Sequence, residues 1–282
     1  MASNPVFNRI DEQLRKGGYA GFARDGQRAP RSAAGTATGT MSAQQLQDLY
    51  NQQPAGPVQM GRVTLDDVVM KTLGLFSVMV VIAAGTWFAV EGRPGLALPL
   101  WMGGMLAGLA LGFVIAFKKT ISVPLIVAYA ALEGVFVGAM SKVFENAWDG
   151  VVGQAVVATL VTFVGMFIAW KVGLVKVTSR SRRIFGMAIL GYLLFGVVNL
   201  IAAWFFHTGN GWGLVGGQYG WVICLLGIGL AAYSLAIDFD TIDRVVAAQA
   251  PEKTSWLLAH GLIVSLVWLY IEFLRLFALR RN

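Results

Sequence analysis

Histidine and cysteine are nearly missing. The 282 residues hold two histidines, His207 and His260, and one cysteine, Cys224. A lone cysteine excludes an intramolecular disulfide, and inside an apolar run it reads as a small packing residue. With no His-Glu-x-x-His pattern, zinc hydrolysis lacks its usual ligands. Charge is scarce too: 13% of residues are Asp, Glu, Lys or Arg, about half the share usual in soluble domains. The formal charge of +7 does not indicate nucleic acid, because no aromatic-and-basic module interrupts the apolar runs and basic loops are normal beside a membrane. What remains is hydrophobic, at 56% of residues, in runs that do not alternate as barrel strands would. The chain is therefore expected to be an all-α integral membrane protein, since lipid forces each crossing segment to satisfy its own backbone.

Residues 1–64 are rich in Ala, Gly, Ser, Gln and Arg without a sustained period, so a mostly disordered tail is expected, with a short helix conceivable around Ser42–Tyr50. Met1 is not followed by a basic region and an apolar core, so no signal peptide is expected. Thr64 followed by Asp67 is the signature of a helix start. From there residues 65–282 form the expected membrane domain, with seven spans near 69–90, 96–117, 121–144, 151–171, 184–206, 219–238 and 256–278. Glycines at four-residue spacing, Gly104, Gly108 and Gly112 in the second span and Gly134 and Gly138 in the third, are read as close helix packing.

Basic residues orient the chain. The tail carries seven arginines and lysines, among them Arg9, Arg15 and Arg62; the second loop has Lys118 and Lys119, and the fourth Lys176, Arg180, Arg182 and Arg183. The first, third and fifth loops are poor in them, which places the N-terminus in the cytoplasm. Seven crossings then leave the C-terminus outside, although it ends Arg280-Arg281. The fifth loop, His207–Gly220, mixes Gly with Trp212 and Tyr219 and suits an extracytoplasmic turn.

Few ionisable residues lie within the spans: Glu133 in the third, Asp238, Asp240 and Asp243 closing the sixth, and His260, Glu272 and Arg275 in the seventh. A charge at the bilayer centre costs roughly 2.5–3.5 kcal/mol on insertion scales, so each asks for a reason. The bland reading of Asp238 and Asp243 is a hydrated cytoplasmic helix end beside Arg244. The bland reading of Glu272 is neutralisation by Arg275 at i, i+3. The sharper reading joins helices: an acid of the sixth span facing Glu272 would share a proton with it, and deprotonated the pair would repel or attract a divalent cation such as Ca²⁺.

Three patterns bear on that choice: Tyr129-Ala-Ala-Leu-Glu133-Gly134 with Gly138, Phe239-Asp240-Thr241, and Leu269-Tyr270-Ile271-Glu272-Phe273-Leu274 with Leu276-Phe277. In this order the chain resembles a bacterial member of the Bax inhibitor family, the transmembrane Bax inhibitor motif proteins, from about residue 69 to the end. The resemblance implies seven transmembrane helices, six around a central seventh, and a pH-sensitive leak of Ca²⁺ governed by an acid pair on helices six and seven. Carried over, that gating pair is Asp240 and Glu272, which would also be the calcium ligands, with glutamate replacing the family's aspartate. Glu133 matches the polar position of the third helix, and Asp238, Asp243 and Arg275 are supporting groups. Ile242 stands where the family commonly has glutamine, an insertion around Ala247–Thr254 lengthens the separation of the pair, and the second span lacks the family's arginine, a role Arg275 could take.

The function expected is a pH-sensitive cation leak channel or transporter of the bacterial inner membrane, not an enzyme and without a cofactor. Its partners would be membrane lipid, calcium or protons and other membrane proteins. The alternatives are an aspartyl intramembrane protease, although the Gly-x-Gly-Asp pattern is absent, and a non-transporting regulator of membrane proteases acting through its tail.

Overall fold

A computed structural model describes residues 61–205, 213–217 and 219–281. Residues 1–60 of the expected tail, with the helix considered near Ser42–Tyr50, lie outside the described residues, as do His207 and Trp212. Seven long helices follow one another: α1 (Leu65–Gly92), α2 (Ala97–Phe117), α3 (Val123–Ala147), α4 (Val151–Lys171), α5 (Ser179–Phe205), α6 (Gly220–Ala247) and α7 (Thr254–Arg281). Each is long and apolar enough to cross a membrane. The all-helical, seven-span architecture is the one the sequence indicates.

Local chemistry sets the ends. Thr64 caps α1 reciprocally with Asp67: the Asp67 amide donates to Thr64 Oγ1 at 3.1 Å and the Thr64 amide to the Asp67 carboxylate at 3.2 Å. A similar exchange between Thr178 and Ser181 starts α5 at Ser179, five residues before the expected 184. Glu145 accepts from the Gly150 and Val152 amides at the start of α4, at 2.7 and 3.0 Å. The largest departure is α6, which runs to Ala247 instead of ending at 238. Nothing in Thr241–Ala247 breaks a helix, and Arg244 in the last turn complements the helix dipole.

Two links fix the seventh helix. The segment before α1, expected to belong to the tail, instead pairs with the turn between α6 and α7: Val63 donates to the Ala250 carbonyl at 2.9 Å and Glu252 to that of Gly61 at 2.6 Å. At the other end Arg281 donates to the Asp149 carbonyl in the α3–α4 turn. A 28-residue helix rises about 42 Å. The last segment therefore runs from one face of the bundle to the other.

Packing is uneven. α1 and α3 lie closest, because a Cβ on Gly134 would fall 2.6 Å from the Met79 carbonyl oxygen and one on Gly138 would strike the Ala83 carbonyl. The α7 helix packs against α1, α3, α4 and α6. By contrast, no residue in the most apolar stretch of α5 is buried.

The seam makes a test. Gly138→Val should lower the thermal midpoint in detergent by an amount equivalent to about 1–3 kcal/mol, the usual range for forcing volume into a filled interface. Gly165→Val, with nothing within 4 Å of its Cβ position, should stay within about 0.5 kcal/mol of wild type. Equal effects would show that Gly138 is not needed for the close approach.

Candidate functional site

Because α6 continues past residue 238, its three acids stand on a helix within the bundle and meet different surroundings. Asp238, expected at a hydrated rim, is buried at 7% exposure and accepts a 2.5 Å hydrogen bond from Ser265 of α7. Asp240, two residues on, faces another way. Its side chain is 25% exposed and is clamped by Arg182 of α5 and by Arg244, whose Nε lies 3.1 Å from Oδ2. Asp243 is exposed. A shared face for Asp240 and Asp243 thus leads to no carboxylate pair, since two arginines take Asp240.

Glu272 is almost completely enclosed, at 2% exposure. Its Oε1 accepts from the Tyr192 hydroxyl of α5 at 2.7 Å and from Trp268 Nε1 at 3.2 Å, and Arg275 Nη1 reaches both carboxylate oxygens at 3.2 and 3.3 Å. Arg275 Nη1 also lies 3.4 Å from the Tyr192 hydroxyl. The neutralisation of Glu272 by Arg275 at i, i+3 is therefore realised, with a tyrosine of another helix joining it. Gly227 of α6 makes room, because a Cβ there would sit 2.6 Å from the Glu272 carboxyl carbon.

These contacts separate Asp240 from Glu272. The α6–α7 hairpin sets Asp238 beside Ser265 and Gly227 beside Glu272. Gly227 is thirteen residues before Asp240 on one continuous helix, a rise of about 20 Å. The expected gating pair is not brought together, and the two acids cannot ligate one calcium ion from these positions. The reason is topological: in an antiparallel hairpin with a short turn, a residue far along α7 meets one equally far back on α6. The α6 acid that does meet α7 is Asp238, and its partner is a serine.

Glu133 belongs to a third place. A Cβ on Gly108 of α2 would touch its Oε1 at 3.6 Å, Tyr129 is one turn earlier, and Oε2 is buried with no hydrogen-bond partner. His260 of α7 sets its ring edge-on to Tyr129, with centroids 4.4 Å apart. Among the described residues no three His, Cys, Asp or Glu side chains are grouped to hold a metal.

The arrangement thus has two polar clamps on α5, Arg182 to Asp240 and Tyr192 to Glu272. Arg182 counted in the sequence only as a loop cation, and Tyr192 and Ser265 drew no attention among apolar neighbours. The Thr178–Ser181 spacing is the one signal that could have put Arg182 on a helix. Removing one partner of a buried ion pair costs about 3–5 kcal/mol, whereas losing a neutral hydrogen bond costs about 1. Arg275→Ala should therefore depress the unfolding midpoint well below that of Tyr192→Phe, measured by denaturation in detergent; equal losses would mean that Arg275 does not neutralise Glu272.

No curated protein matches the chain. A protein-family model described as Bax inhibitor 1 like matches residues 4–282. Seven membrane-capable helices accord with that match over almost the whole length, and the chain belongs to the Bax inhibitor 1-like family.

Proposed function

We propose that the protein is a pH-responsive cation leak channel or transporter of the bacterial inner membrane, with calcium as the ion and the N-terminus cytoplasmic. The family and the seven spans support a membrane passage in general terms. The observation that carries the finer reading is the attachment of α5. A helix with no burial in its apolar stretch is held to the bundle through Arg182–Asp240 at one level and Tyr192–Glu272 at another.

The gating device in this reading is not one carboxylate pair but two carboxylates that each fasten the same helix. Loss of the Arg182–Asp240 ion pair removes the contact that holds Arg182. The start of α5 is then free to part from α6, and water can enter between them. The oxygens released suit a hard cation such as Ca²⁺, which takes several oxygen ligands. Opening of this clamp is thus expected to raise the leak. Glu272, enclosed and tied to Arg275, acts as the pivot about which α5 turns.

The protease alternative gains no support, since activating one water needs two carboxylates together and Asp240 lies about 20 Å from Glu272 along α6.

The test is Ca²⁺ flux against pH in proteoliposomes for wild type, Asp240→Asn, Arg182→Gln and Glu272→Gln. Asp240→Asn and Arg182→Gln are expected to behave alike, with flux raised at neutral pH and its pH dependence flattened. Wild-type flux and wild-type pH dependence in both would remove the α5 clamp from the gate.

A further inference from the structure

α1 packs on α3 and α7, while α4 packs on α6 and α7. Between α1 and α4 this leaves a cleft floored by α3 and α7, with a volume of about 580 Å³. Along α1 it extends from Phe76 to Phe88, twelve residues or about 18 Å of rise. An extended hydrocarbon chain fits along that length.

The lining agrees. Its three hydroxyls are already engaged: Ser141 and Tyr270 bond to each other at 2.7 Å, and Thr159 donates to the Ala155 carbonyl at 2.7 Å. A sugar, nucleotide or peptide backbone would find them occupied and would lose its hydration. One cation stands at the Trp87 end. Lys142 Nζ lies 5.0 Å from the centre of the Trp87 ring and 3.0 Å from the Glu91 carboxylate, and Glu91 is itself largely exposed. A long apolar slot ending on a lysine and a tryptophan has the polarity of a lipid: chain inside, phosphate at the rim.

We propose that the cleft between α1 and α4 binds one acyl chain of an anionic phospholipid whose phosphate rests against Lys142. The chain would lie on α7 at Tyr270, two residues before Glu272, so that its presence supports the helix carrying the α5 pivot. The binding site does not depend on the flux reading, because its occupancy is measured without any ion.

The full-length protein in nanodiscs of phosphatidylcholine with phosphatidylglycerol, doped with a phosphatidylglycerol carrying a diazirine on its acyl chain, provides the test. After photolysis, adducts mapped by mass spectrometry should concentrate on Val80–Phe88 and Val152–Leu160. Ala84→Trp from one wall and Val156→Trp from the other should each reduce cleft labelling to the level on the outer face of α2. Lys142→Gln, made in a Glu91→Gln background so that no partner charge is left unpaired, should lower the preference for the glycerol over the choline headgroup about fivefold, the effect of removing one cation at a lipid surface. Labelling spread evenly over α2, α5 and the cleft would overturn the proposal, as would unchanged cleft labelling in both tryptophan variants. Should one tryptophan variant fail to fold, the other and Lys142→Gln decide it.

Discussion

The α5 helix is fastened to α6 and α7 through polar side chains, Arg182 to Asp240 and Tyr192 to Glu272. Hydrocarbon gives no drive for one apolar helix to leave lipid for another, so helices in a bilayer associate by close packing and by polar contacts. The α1–α3 pair takes the first route through Gly134 and Gly138, where backbone meets backbone. The α5 helix has little of that contact and takes the second, through Arg182 and Tyr192. One part of the molecule is thus joined by shape and another by polar contacts.

That division gives the buried acids distinct duties. Glu272 is surrounded by tyrosine, tryptophan and arginine, so its charge is neutralised and its oxygens are in use. Asp238 has a serine as its hydrogen-bond partner, and Asp240, partly exposed, has two arginines. The three acids thus differ in what holds them: Glu272 a closed set of donors, Asp238 one hydroxyl and Asp240 two cations.

Much of the fold was legible from the sequence, because a run of about twenty apolar residues has one stable form in lipid. The α1 cap was visible as Thr64 and Asp67, and the glycine spacing marked the close seam. The site was legible only as an inventory. Residue type and position singled out Glu133, the Asp238–Asp243 cluster, His260, Glu272 and Arg275, and the family resemblance picked Asp240 and Glu272 among them. Which of them meet depends on the hairpin register, and that is set by where α6 stops. Ending α6 at 238 put its acids in water, whereas extending it to Ala247 moves Asp238 into the interior and puts Glu272 opposite Gly227. Arg182 was hidden for the same kind of reason, a helix start placed five residues late.

The short pairing of Gly61–Val63 with the α6–α7 turn also bears on how the chain assembles. It joins residues 187 apart in sequence, Val63 and Ala250, across nearly the whole membrane domain. The α1 helix therefore cannot reach its final setting until the α6–α7 hairpin has been made. In the interval α1 has its glycine seam with α3 to rest on, while its contacts with α7 are still missing. Insertion from the N-terminus would produce a loosely held early bundle that the final helix closes, so that truncation anywhere before α7 should leave α1 without its anchor.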